Sequence, residues 1–168
     1  MLGASLPNDA HAQSEVENRT GRIRAALVYY IVKFVDLSSL PGDSITVCIL
    51  GDDSMNSFID ATITGKKAHG KTLLLKKFTT FSASDMNTQC SVRFIGKTET
   101  PYSSYLPELA SQKQAITICA TDKPHFNGCF IEMFEQDNKI RLAIDLSLID
   151  QANMKVSSEL LEVAVLKK

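Results

Sequence analysis

Gly65-Lys66-Lys67-Ala68-His69-Gly70-Lys71-Thr72 matches letter for letter the phosphate-loop pattern G-x-x-x-x-G-K-[ST]. In that loop a helix N-terminus and backbone N–H groups converge on phosphate oxygens, which requires a strand before it and a helix after it. Here the order is inverted. A helical pattern (Met55, Phe58, Ile59, Ile63) precedes, and the strand-like run Leu73-Leu74-Leu75 follows. We therefore read the segment as a surface connection with two turn glycines, and set nucleotide hydrolysis aside.

Other residue types capable of chemistry do not converge in sequence. His11, His69 and His125 are scattered, and neither C-x-x-C nor H-x-x-x-H spacing occurs, so no metal site or thioredoxin-type redox site is expected. Cys119 and Cys129 flank His125, but both sit at strand edges and read as structural. Asp52-Asp53 follows the end of a strand, where α/β proteins place ligands, although helix capping explains Asp53 equally well. Glu132 and Glu135 are spaced to lie on opposite faces of one strand. No catalytic constellation, metal or cofactor follows from this pattern. The most that side-chain chemistry supports is a crevice for an anionic small ligand, with Arg24, Asp52, Lys123 and Arg141 as candidates and Arg93 as a further cation.

The four cysteines are more informative. Cys48 lies inside one apolar run, Cys90 opens another, Cys119 closes a third and Cys129 opens a fourth. Four cysteines allow three connectivities. Cys48–Cys90 with Cys119–Cys129 is preferred because each pair joins segments expected to be neighbours in a sheet. Four buried free thiols remain the other reading, since cysteine is often buried unpaired.

These residues must be positioned by a single fold. Hydrophobic residues make up 44% of the 168 and charged residues 22%, values that suit one globular domain. With 18 basic and 19 acidic side chains and no long basic run, nucleic acid is not an expected partner. No segment approaches the length of a membrane span, so direct membrane insertion is not expected either. Residues 1–20 are polar and aperiodic and read as a flexible tail, with 21–168 as the folded domain. Within the tail, Ala10-His11-Ala12 has the small-x-small form of a signal-peptidase site, though Met1 to Asp9 lacks an apolar core. The chain would then be a mature form whose export signal has been trimmed.

From Ile23 the spacing of Ile23, Ala26, Leu27, Tyr30, Ile31 and Phe34 predicts the apolar face of a helix. Pro41-Gly42-Asp43 breaks the chain, and Ser44–Leu50 reads as a buried strand ending at Gly51. A second helix is expected from Asp53, then a loop from Thr64 to Lys71 and a strand over Thr72–Phe78. Ser82-x-x-Asp85 could cap a helical turn, and Thr100-Pro101 could open a helix. Strands are expected over Cys90–Ile95 and Ala115–Ala120. Cys129–Glu135 and Lys139–Ile144 flank Gln136-Asp137-Asn138 as a hairpin. Short helices over Leu146–Ala152 and about Ser158–Leu166 close the chain. The expected class is α/β: a mixed, mainly parallel sheet flanked by helices on both faces, with a C-terminal β-hairpin and two short helices.

Four segments in this order resemble the YfiR-like family of small periplasmic proteins. They are Ala25-Ala-Leu-Val-Tyr-Tyr-Ile-Val-Lys-Phe-Val-Asp36, Thr46-Val-Cys-Ile-Leu-Gly51, Cys90-Ser-Val-Arg-Phe-Ile-Gly96, and the stretch from Asn127-Gly-Cys-Phe-Ile-Glu-Met-Phe134 through Arg141–Leu146 to Val156–Leu161. One departure is evident. The family follows its first helix with an aromatic-Val-x-Trp-Pro type stretch, whereas Phe34-Val35-Asp36 here runs into Leu37-Ser38 and the chain has no Trp.

The resemblance implies a non-enzymatic periplasmic repressor. It would bind the periplasmic sensor region of a membrane-anchored diguanylate cyclase, hold it inactive, and so limit cyclic di-GMP and biofilm formation. Reducing stress or loss of the repressor would release the cyclase. The family's disulfides would fit Cys48–Cys90 and Cys119–Cys129. A homodimer is expected, and the surface expected to meet the cyclase is the end of the first helix, Tyr29, Tyr30, Phe34, Val35 and Leu37.

Overall fold

The longest element is a helix of 27 residues, α1 (Asn8–Phe34), in a computed structural model that describes residues 8–51, 54–78, 90–96, 115–126 and 128–168. It starts well before Ile23, so residues 8–20, expected in a polar tail, are helical. All residues from Asp9 to Arg19 are exposed. They bury nothing, so they carry no apolar periodicity to read. Ala10, Ala12, Gln13, Glu15, Glu17 and Arg19 suit a helix, and extending one already nucleated costs little.

The buried stripe of α1 also differs from expectation. Gly21, Arg24, Ala25, Val28, Ile31, Val32 and Val35 face inward, while Ile23, Ala26 and Tyr30 face solvent. Of the expected face, Ile31 is fully buried, and Leu27 and Phe34 are half-buried against the core. Gly21 determines how closely the helix seats. A Cβ there would overlap the Ser54 carbonyl group, lying 2.7 Å from its carbon and 3.1 Å from the Met55 nitrogen.

Eight strands form one sheet in the order β2-β3-β1-β4-β5-β6-β7-β8. They are β1 (Ser44–Leu50), β2 (Lys67–Ala68), β3 (Lys71–Phe78), β4 (Val92–Ile95), β5 (Ile116–Thr121), β6 (Ile131–Gln136), β7 (Lys139–Asp145) and β8 (Ala164–Lys167). Pairings β1–β3, β1–β4, β4–β5, β5–β6 and β7–β8 are parallel; β2–β3 and β6–β7 are antiparallel. The fold is the mixed, mainly parallel α/β sheet expected. A 3-10 turn (Ser54–Ser57) and α2 (Ile59–Ile63) follow β1, while α3 (Leu146–Gln151) and α4 (Ser158–Glu162) follow β7. The expectations on Ser82–Asp85 and Thr100–Ala110 lie outside the described residues, as do Asp52 and Asp53.

Alternation divides the sheet into two faces. Ile45, Val47, Ile49, Leu73, Val92, Phe94, Ile116, Ile118, Met133, Leu142 and Ile144 form one core with α1, α2, α3 and α4. The opposite face carries a smaller cluster of Cys48, Leu50, Ile95 and Cys119 with Cys90 and Cys129. Both disulfides lie there, Cys48–Cys90 (Cα–Cα 5.7 Å) and Cys119–Cys129 (6.1 Å), and none of the four cysteines is free.

Two-residue turns set the register of both hairpins. Asp137 and Asn138, at φ 52° and 58°, join β6 to β7; His69 and Gly70, at 53° and 72°, join β2 to β3. Successive positive φ values suit the right-handed twist of the strands they connect.

The chain end departs from expectation. The last helix stops at Glu162, and Ala164–Lys167 is a strand paired in parallel with β7. Four residues of helix would place no new apolar face on the core, whereas a strand gains ladder bonds beside β7. Asp145 anchors this corner. It is 2% exposed, caps α3 by accepting from Ser147 and Leu148 N–H, and pairs with Lys167 Nζ at 3.0 Å. Burial alone would raise the Asp145 pKa, but hydrogen bonds from Ser147, Lys167 and Leu148 outweigh it and hold the carboxyl below the ordinary carboxylate value.

Three stability outcomes are expected. Gly21→Ala raises helix propensity yet should destabilise the fold by about 1–3 kcal/mol in urea titration, because the methyl group overlaps backbone; a stabilised variant would contradict the close seating. A depressed native pKa confers stability above the unfolded value and loses it as pH falls through the native one. Asp145→Asn should therefore cost about 1–2 kcal/mol at neutral pH, with the gap to wild type closing below about pH 4. Removing Cys48–Cys90, which spans 42 residues, should cost about 4 kcal/mol, and removing Cys119–Cys129, which spans 10, about 3. Equal denaturation midpoints for wild type and the Cys48→Ala/Cys90→Ala pair would refute the first figure.

Candidate partner-binding surface

The phosphate-loop match resolves into a hairpin. Gly65 (φ 73°) turns the chain after α2, Lys67–Ala68 forms β2, and Lys71 opens β3. The Lys71 ammonium donates to the carbonyls of Leu40 and, at 2.6 Å, Gly42. It closes a structural turn, and no helix N-terminus follows.

That hairpin holds one end of α1. His69 Nε2 donates to the Val32 carbonyl oxygen (2.8 Å), satisfying an acceptor of the last helical turn. Tyr29 Oη reaches the Lys67 carbonyl at 3.5 Å. On the other side, Val35 bridges Val156 and Ser157 N–H donates to the Phe34 carbonyl (2.9 Å). Further along, Arg24 reaches across the core face to Glu135 at 3.6 Å. The helix is thus held at several points along its inner side.

Its outer side carries a second apolar stripe. Val16 (64% exposed), Ile23 (37%) and Tyr30 (50%) recur every seven residues, which on an α-helix drifts only ~20° per step. Tyr30 stacks on half-buried Phe34, with ring centroids 4.4 Å apart and planes tilted 40°. Half-buried Tyr29 lies beneath the Lys33 ammonium, 5.6 Å from its ring centroid. Such a stripe along one rigid helix has the form of a surface for a partner.

Of the five residues expected on this surface, Tyr29, Tyr30 and Phe34 are accessible, but Val35 and Leu37 are fully buried. The chain turns inward after Phe34 to pair with Val156, which places both in the core. Val16 and Ile23 were missed as surface residues: one fell in the supposed tail, the other in the supposed core face. Their seven-residue recurrence with Tyr30 was the available signal.

The candidate anion-binding residues do not come together. Arg24 is buried on the core face and paired with Glu135, whereas alternation along β7 puts Arg141 on the opposite face, across from Phe134. Lys123 is exposed in the loop after β5, and Asp52 lies outside the described residues. Glu132 is buried and accepts from the backbone N–H groups of His125 and Phe126, a structural use that pins this loop. Arg93 is 1% exposed on the disulfide face, where burial pushes its pKa down to about 10, so it stays cationic at neutral pH. Among the described residues no cluster of three or more His, Cys, Asp or Glu is placed to hold a metal ion, and no helix is long and apolar enough to cross a membrane.

Comparison with known proteins follows the fold. A conserved domain protein from Vibrio cholerae O1 biovar El Tor has a similar structure, with TM-score 0.56 and 12% identity over 88% of this chain. At that identity the likeness is one of fold, and the present chain spans 60% of the length of that chain. Among curated proteins none matches in sequence. Residues 21–165, from the seating glycine of α1 into β8, match the YfiR/HmsC-like family. The chain therefore belongs to the YfiR/HmsC-like family, a family of periplasmic, non-catalytic regulators connected with cyclic di-GMP signalling.

Proposed function

We propose that this chain binds and represses the periplasmic sensor region of an inner-membrane diguanylate cyclase, acts as a homodimer, and thereby limits cyclic di-GMP and biofilm formation. The observation that carries this reading is the outer stripe of α1: Val16, Ile23 and Tyr30 with Phe34 at its end, on a helix held from its inner side. An exposed apolar stripe on an immobilised helix binds without first ordering the segment, which lowers the entropic cost of association. Repression follows by population shift, the inactive sensor conformation being bound more tightly than the active one. Tyr30 and Phe34 form the anchor, and Tyr29 borders it. The two disulfides on the opposite face suit an oxidising compartment.

The test is co-purification with the sensor region of a candidate cyclase, together with cyclase activity in membranes with and without the protein. Tyr30→Glu and Ile23→Glu should each weaken binding by roughly tenfold or more while leaving circular dichroism unchanged. Wild-type protein that neither binds nor inhibits any membrane cyclase would overturn the reading.

A further inference from the structure

The exposed side of α1 is apolar along one row and positively charged beside it. Val16, Thr20, Ile23, Leu27, Tyr30 and Phe34 follow one another at alternating four- and three-residue steps, the a/d pattern of a heptad seam. All six are exposed or half-buried, and Leu27 and Phe34 tie the seam to the core beneath. It runs for about 27 Å along the helix and drifts little over that length.

The neighbouring charges have one sign. Arg19 and Lys33 stand three residues after Val16 and Tyr30, at the g positions that flank such a seam. Beyond them Arg22 packs over the Phe58 ring, 5.1 Å from its centroid, and Tyr29 Oη donates to the Lys67 carbonyl, which brings Lys66 and Lys67 alongside. All five cations are exposed, and no carboxylate of the described residues pairs with them; the ion pairs engage Arg24, Lys77 and Lys167. Residues 19–34 and 65–78 hold nine of the 18 Lys and Arg and no Asp or Glu, in a chain of net charge −1.

We propose that this surface takes an amphipathic helix of the partner whose apolar face is bordered by Asp or Glu. This rests on α1 being the partner-binding surface of the proposed function, and it adds the partner's chemistry. The a/d row supplies the knobs-into-holes packing of a second helix, and the g-position cations select the charge that lies beside it. Opposite charge also speeds encounter and excludes cationic segments. A second copy of this chain fits less well, because antiparallel overlap of the whole seam sets Arg19 opposite Lys33 at both ends. A lipid surface fits less well too: an interfacial helix sinks a continuous apolar face into the bilayer, whereas Leu27 and Phe34 are already half-buried against this protein's own core.

The probe is a labelled peptide of about three heptads with Leu at a and d and Glu at e and g, set beside its counterpart with Lys at e and g. The full chain should bind the Glu peptide at least roughly tenfold more tightly than the Lys peptide, and the preference should shrink in high salt. Arg19→Glu with Lys33→Glu should remove or reverse the preference with circular dichroism unchanged, whereas Arg141→Glu, on the disulfide face, should leave it intact. Tyr30→Glu should weaken binding of the Glu peptide. Equal affinity for the two peptides, binding of neither, or binding of phosphatidylglycerol vesicles in place of the Glu peptide would overturn the proposal. A cyclase sensor region that binds, yet is indifferent to the Arg19→Glu/Lys33→Glu pair, would overturn it while the proposed function stands. A Glu peptide that binds with the stated preference while no sensor region does would overturn the proposed function alone.

Discussion

The close seating of α1 on one face of the sheet is the constraint on which the rest of the molecule depends. Gly21 brings the helix backbone against Ser54 and Met55 where a methyl group would not fit. Ala25, Val28, Ile31, Val32 and Val35 then reach the strands as one buried stripe. A helix can bury only one such stripe on a sheet, so the remaining apolar residues must face out. That is why Ile23 and Tyr30, as apolar as their buried neighbours, stand in solvent. The hairpin of β2 and β3, the Val35–Val156 bridge and the Arg24–Glu135 pair keep the helix from rotating to hide them.

The opposite face is held by different means. Its apolar cluster is small, built on Cys48, Leu50, Ile95 and Cys119, and it also carries buried Arg93 and Glu132. A buried charge is tolerated only where hydrogen bonds replace its hydration. Glu132 meets that condition by accepting from the backbone of His125 and Phe126. The disulfides cross-link the same region, Cys48–Cys90 between β1 and the entry to β4, and Cys119–Cys129 between β5 and the entry to β6. Burial of a separate apolar core and covalent closure thus divide the work between the two faces.

The sheet strands were legible because their signals are local. Ser44–Leu50 is a β-branched apolar run between Asp43 and Gly51, and Asp137-Asn138 tolerates the positive φ values of a tight hairpin. The inverted order around Gly65–Thr72 was enough to dismiss a phosphate loop, and Lys71 proves to be occupied by turn carbonyls. The final segment was harder. Glu162 to Leu166 suits a helix or a strand by composition, and the free edge of β7 decides in favour of the strand. Residues 9–19 were illegible for the opposite reason: they are helical without burying anything, and apolar periodicity reports burial, not helicity.

What the sequence by itself determined is the class of the fold, the positions of six of the eight described strands, the cysteine pairing it preferred and the family to which the chain belongs. Periodicity also showed that α1 carries more apolar residues than one face needs, but not which set lies inside. Ile23, Ala26, Leu27 and Tyr30 form as good a stripe as Ala25, Val28, Val32 and Val35. The choice rests on contacts distant in sequence: the gap that Gly21 leaves for Ser54, the reach of Arg24 to Glu135, and the inward turn that buries Val35 and Leu37. Only the tertiary structure decides it, because a helix cannot specify its own inner face until another surface is packed against it.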